Sequence, residues 1–238
     1  PPRSTLFPYT TLFRSSPAIE PAFGIPAFWV PSNQAERLRV EGYTVVDSIS
    51  VLGTHVSELV RRHAHEIFTR QDAKKVLDRV AEDNPKLVED LVPKLVPLGA
   101  VQKVLQNLLR ERVSIRDAAT ILEAISEAAA VTRNPVLTTE YARQAIRRSV
   151  VQPYLNPNNE LGVWFLDPDL EGQIERAVEH GEHASHLNLS PHKVREIVDA
   201  VSSGIGDAQG SAAILAGSGA RYFLRQMIES RKIGRAHV

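Results

Sequence analysis

Cysteine is absent from the 238 residues. Its absence excludes disulfides and thiolate metal centres and fits a reducing compartment. An excess of either charge is missing too, with 28 Lys and Arg against 28 Asp and Glu. Without a basic surplus to neutralise phosphates, no nucleic acid is expected as a partner. No apolar run approaches the roughly 20 residues that a membrane-spanning helix needs. Methionine occurs once, at Met227, so the expectation is that native text begins upstream of this chain. What remains is long enough for one large or two small domains with a real core.

Both ends lack local structural logic. "TLFPYTTLFRS" (Thr5 to Ser15) has neither a helical nor a strand period, and "KIGRAHV" (Lys232 to Val238) is a tail without context. In coding form the first contains GCTCTTCCGATCT and the second its reverse complement, AGATCGGAAGAGC. That is the stem of a common sequencing adapter. Residues 1–15 and 232–238 are therefore read as adapter read-through and set aside, as a fusion scar would be. The expected native fragment runs from Ser16 to Arg231.

Three zones of different texture lie between. Residues 16–68 are mixed: "AFWV" (Ala27 to Val30) and "YTVV" (Tyr43 to Val46) are short β-rich runs joined by a polar, helical "SNQAERLRVEG". A helix with a stripe of Leu52, Val56, Leu59, Val60 and His63 follows Asp47. Residues 69–148 read as helical throughout, with one stripe at Ala73, Val76, Leu77 and Val80 and another at Val101, Val104, Leu105, Leu108 and Leu109. Ser114 is the expected N-cap of the next helix, with Asp117 at the reciprocal position ahead of Ala118, Ile121, Leu122 and Ile125. "TTEYARQAIRRSVV" adds a further helix, and the short connections imply a compact antiparallel domain. Residues 149–231 change period again. "GVWFL" and "AAILA" read as short buried strands, while Asp167-Pro168 and Ser190-Pro191 open helices as N-cap and N1-proline pairs. The fold class is thus mostly α with α/β parts: a partial α/β piece, a compact helical domain, and a small C-terminal α/β domain expected to lack a closing strand.

Candidate chemistry is sparse. "LAGSGARYFLRQ" is a strand, Gly-rich turn and helix, the form that holds phosphates on backbone N–H groups. It lacks the G-K-[ST] of a P-loop and the third glycine of the dinucleotide fingerprint, so a tight structural turn at Gly217–Gly219 is the favoured reading and a nucleotide-using enzyme the rival. His180, His183 and His186 recur every three residues, but the segment carries a glycine and no apolar period to frame them, so no metal site is expected. His55, His63, His65, Glu58 and Glu66 show no acid/base arrangement. The charges of "RRHAHE" and "LRERVSIRD" read as solvated helix faces. Neither catalysis nor a cofactor is expected. Phe23, set between backbone breakers in "IEPAFGIPAFWV", is the exception. Either it is an exposed anchor of a recognition pocket with Glu20 at its rim, or it is a loop aromatic tucked against the next helix.

Beyond the residue physics, the ordered set "EPAFGIPAFWV", "GYTVVDSISVLGTH", "RQDAKKVLDRV", "PKLVEDLVP", "VLQNLLRERVSIRDAATILEAI" and "TEYARQAIRR" resembles the cytoplasmic half of the FlhA-type export-gate family of flagellar and virulence type III secretion. The resemblance covers the native fragment and is densest from Glu20 to Arg148. It implies the cytoplasmic part of a bacterial inner-membrane protein that forms a homo-oligomeric ring. Other export-apparatus proteins would be partners, and export chaperone–substrate complexes would dock on the first two of four subdomains. Residues 16–68 would be the remnant of those two, 69–148 the helical third, and 149–231 the truncated α/β fourth. The family's docking acid, Phe and Thr fall on Glu20, Phe23 and Thr54. Flagellar export is the expected setting and the virulence injectisome the alternative within the family.

Overall fold

The computed structural model describes residues 15–205 and 213–235, with side chains described to Glu229. It is mostly helical, with three two-stranded sheets among the described residues. The chain divides into two compact units, one ending at Ala64 and the other beginning at His65.

The first unit opens with an antiparallel hairpin of β1 (Ser16–Ile19) and β2 (Pro26–Trp29), in which Ser16 faces Trp29 and Ile19 faces Pro26. A 3₁₀ turn at Ser32–Gln34 leads into the short helix α1 (Ala35–Val40). "YTVV", expected as a β run, forms no strand; its residues have β propensity, but a strand exists only where a neighbour takes its hydrogen bonds. Helix α2 (Ser48–Arg62) starts at Asp47, whose carboxylate accepts from Ser50 N at 2.8 Å. The expected helix is there, but its stripe is not buried: Ile49, Leu52, Val56 and Val60 are all at least half exposed. Helical spacing fixes which side chains share a face; whether that face is covered depends on another element.

The second unit holds two separate hydrophobic clusters. Helices α3 (Ala64–Ile67, straddling the boundary), α4 (Arg70–Asp83), α5 (Pro85–Glu89), α6 (Leu98–Arg110), α7 (Ala118–Ala129) and α8 (Pro135–Ala145) precede the short α9 (Arg147–Val151). The predicted stripes of α4, α6 and α7 meet in one core, where Leu77, Val101, Leu105, Leu108, Ile121 and Leu122 are all but sealed from water. An irregular turn at Asp90–Leu95, with a cis Val92–Pro93 bond, connects α5 to α6. Helix α7 begins one turn later than Ser114 would place it. Asp117 is the cap, accepting from Thr120 N at 3.3 Å, because Ser114 Oγ instead accepts from Arg116 N within the preceding loop.

The second cluster lies between β3 (Val163–Phe165), α10 (Pro168–Ala177), the hairpin β4 (Val178–His180) and β5 (Ser185–Leu187), α11 (Pro191–Ile205), β6 (Ala213–Leu215) and α12 (Ser218–Arg235). β3 and β6 pair in parallel but are not the buried strands expected, since Trp164, Phe165 and Leu215 are exposed. Both expected proline starts are observed: Asp167 accepts from Asp169 N and Leu170 N, and Ser190 Oγ from Lys193 N. The β4–β5 hairpin had no apolar period to announce it. Its Val178–Leu187 pair supplies the one apolar rung.

Two measurements probe this fold. Truncating Leu105, which has no exposed surface, to alanine should cost about 2–5 kcal/mol in denaturant unfolding, the range for a leucine deleted from a tight core. At the start of α4, the Thr69 hydroxyl and N–H hold the Asp72 carboxyl down to about 2, with Lys75 assisting. A depressed carboxyl contributes stability above its unfolded value near 3.8, and that contribution is lost as pH falls towards about 2. An NMR titration should show the Asp72 midpoint near 2, and Thr69→Ala should move it back up.

Candidate functional site

The six-residue connection between β1 and β2, Glu20 to Ile25, is held from within. Glu20 N donates to Ile25 O at 2.8 Å and Gly24 N donates to Glu20 O at 2.9 Å. Gly24 sits at φ +70°, a conformation that suits glycine because it has no Cβ to clash. The Glu20 carboxylate then uses both oxygens on the turn itself, accepting from Ala22 N at 3.0 Å and from Phe23 N at 2.7 Å. This closed turn leaves the Phe23 ring 62% exposed. Of the two sequence readings of Phe23, burial against the neighbouring helix is the one the structure does not bear out.

Phe23 lines an open concavity in the first unit, together with Ser50, Gly53, Thr54, Ser57, Glu58 and Arg61 of α2. Those α2 positions fall on one face at helical spacing, adjacent to the exposed Ile49, Leu52, Val56 and Val60 stripe. Phe23 and Thr54 are thus brought to one surface. Glu20 does not line it; its carboxylate is engaged by the backbone it braces.

The other candidates come apart. At the Gly217–Gly219 turn, Gly217 N donates to the Glu171 carboxylate, and a Cβ at Gly219 would collide with the Glu175 side chain. Two carboxylates of α10 crowd the start of α12, where a phosphate would need open, positive N–H groups. His180 and His186 belong to the β4–β5 hairpin, facing Ser185 and Glu179 respectively, and His180 Nδ1 lies 2.8 Å from Ser185 Oγ. Among the described residues no group of three His, Cys, Asp or Glu could hold a metal ion.

Sequence reasoning missed a buried charge cluster. Glu111, read as part of a solvated face, is 7% exposed. It accepts from Arg221 Nη1 at 2.9 Å, from Arg221 Nη2 at 3.0 Å and from Arg143 Nη1 at 2.6 Å. The same guanidinium donates through Nε to Glu140 at 2.8 Å and through Nη2 to the other oxygen of Glu140. Burial pulls the Arg221 guanidinium down, but Glu140 and Glu111 outweigh it and hold the group above its ordinary value. Arg143, buried beside a second cation, is pushed below its own. The partners are 32, 81 and 110 residues apart, so no spacing rule could find them.

The exposed Phe23 of the braced hairpin and the hydroxyl-bearing and charged side chains of α2 thus share one surface. The FHIPEP family model matches residues 6–238, and the chain belongs to that family. It is 34% identical over 225 residues to the flagellar biosynthesis protein FlhA of Bacillus subtilis, covering 93% of this chain and 33% of that protein. Against FlhA of Escherichia coli it is 44% identical over 163 residues, covering 68% and 24%. The chain therefore spans between about a quarter and a third of these curated relatives. Its fold matches the Chlamydia pneumoniae CdsV protein with a TM-score of 0.77 at 25% identity, over 87% of this chain and 60% of that one. It also matches the nonameric EPEC SctV-C with a TM-score of 0.74 at 24% identity, over 90% and 65%. The expected resemblance to the FlhA-type family is thereby met. Among the described residues no helix is long and apolar enough to cross a membrane.

Replacing Glu20 with alanine should free the N–H groups of Ala22 and Phe23 and speed their hydrogen exchange roughly fivefold, equivalent to about 1 kcal/mol of lost hydrogen bonding. Unchanged exchange at both amides would mean that Glu20 does not brace the turn.

Proposed function

We propose that this chain is part of the cytoplasmic docking platform of a bacterial flagellar type III protein export gate, and that Phe23 and Thr54 contact export chaperone–substrate complexes. Phe23, held exposed by its own turn beside the hydroxyl-bearing face of α2, is the observation that carries the reading. The ring would fill an apolar pocket of the partner, with the polar lining setting orientation. Glu20 serves this site as a positioning residue, since its carboxylate is spent on the amides of Phe23 and Ala22. The flagellar setting is supported by the FlhA relatives at 34% and 44% identity, against about 25% for CdsV.

The parent protein on this reading sits in the inner membrane with this part in the cytoplasm, works without a cofactor or catalysis of its own, and assembles into a ring. The nonameric SctV-C neighbour supports the ring, and the CdsV and CdsO complex supports an export-apparatus partner. Residues 16–68 are, in this reading, the remnant of a larger docking region. The uncovered apolar stripe on α2 supports that assignment.

Titrating a chaperone–substrate complex against the complete cytoplasmic half, with and without Phe23→Ala, tests the proposal. Losing an interfacial aromatic anchor should weaken binding by about tenfold to a hundredfold. Equal affinity in the two proteins, both folded, would remove Phe23 from the site.

A further inference from the structure

The buried cluster around Arg221 lies between two bodies that do not share a core. Glu111, at the end of α6, and Glu140 and Arg143, on α8, border the cluster built from α4, α6 and α7. Arg221 sits on α12 between Ala220 and Phe223, which belong to the second cluster. No residue is common to the two cores. Polar contacts join them: besides the Arg221 fork, Asn134 at the start of α8 donates to Gly181 O at 2.7 Å and to Ser185 Oγ at 2.9 Å on the β4–β5 hairpin. At the surface, Arg133 lies 3.6 Å from Glu182.

We infer that Arg221 is the latch of a hinge, a single guanidinium whose release lets the α/β body swing away from the helical body while both stay folded. Hydrophobic interfaces resist such separation because opening exposes apolar surface to water, whereas a polar junction between separately cored bodies can open and rehydrate. The latch is two-state by construction. Engaged, Arg221 spans two carboxylates with four N–H···O contacts and Arg143 completes the neutral set of two cations and two anions. With Arg221 removed, two buried carboxylates face one another with Arg143 alone to offset them, which favours letting water in. Lysine would keep the charge but lose the planar fork, and so would hold the two carboxylates less well.

The absence of cysteine makes the test direct. Glu123→Cys on α7 and Ala200→Cys on α11, both exposed, place one spin label on each body of the full 238-residue chain. The distance distribution should be narrow with Arg221 present. Arg221→Met should add a longer population at unchanged helical circular dichroism, and Arg221→Lys should do so to a smaller extent. A narrow distribution identical to that of the parent in a folded Arg221→Met chain would overturn the latch. If Arg221→Met does not fold, Arg221→Lys decides by the same criterion. Loss of both bodies in one cooperative transition in both variants would also overturn it, since the two would then be one unit.

Discussion

The two hydrophobic clusters between α4 and α12 meet at one ionic contact, the Arg221 guanidinium between the carboxylates of Glu111 and Glu140. Each hydrophobic cluster is self-sufficient as packing, but neither reaches into the other. The relation between them therefore rests on groups that water would otherwise solvate. Withdrawing four charges from water is costly, and the cost is tolerable only because each faces a charge of opposite sign and is hydrogen-bonded. Such a contact adds little net stability compared with an apolar equivalent, but it specifies orientation, since one guanidinium geometry satisfies both carboxylates. Helix α8 is central to this arrangement. It contributes Glu140 and Arg143 to the charge set, and its cap Asn134 turns one side-chain oxygen to its own helix and its amide donors to the hairpin of the other body.

The start of α12 shows the same economy with charge. An open helix N-terminus attracts anions, and here the anion is internal: Glu171 of α10 takes the Gly217 amide. The Gly-rich turn lets the Glu171 and Glu175 carboxylates approach the backbone where a Cβ would stand. A phosphate loop and this turn share the glycines for the same steric reason, yet their electrostatics are opposite. The missing motif residues favoured the structural turn, and the Glu171 carboxylate on Gly217 N supplies the reason.

That difference marks how much was legible from sequence. Helices α4, α6, α7 and α11 follow from periodicity, because a long amphipathic pattern records both the element and its buried face. Strands β3 and β6 exist as expected but expose Trp164, Phe165 and Leu215 instead of burying them. Local rules fail where the deciding partner is distant. Tyr43 to Val46 has strand-forming residues and no strand; α2 has an apolar stripe and nothing over it; Glu111 looks solvated until Arg143 and Arg221 arrive from later helices. At the candidate site, the exposure of Phe23 was one of two readings open from the breakers around it, and Thr54 joins it across the concavity. The turn-bracing role of Glu20 depends on backbone geometry, which residue types do not record.

Glu20 changes what kind of surface the hairpin offers. An acid at a pocket rim would normally be read as a contact for a basic partner, yet both oxygens of this one already accept backbone amides three residues away or fewer. A partner competing for that carboxylate would have to release the turn and with it the fixed position of Phe23. Internal satisfaction of the acid therefore favours recognition through the ring and the α2 hydroxyls rather than through a salt bridge. It also lowers the ordering cost on binding, because the loop is already in one conformation before anything arrives. Affinity gained this way comes from preorganisation, with the Glu20 carboxylate left on its own turn. For the proposed docking of cargo that must be handed onward, that combination supplies selectivity while leaving departure unobstructed.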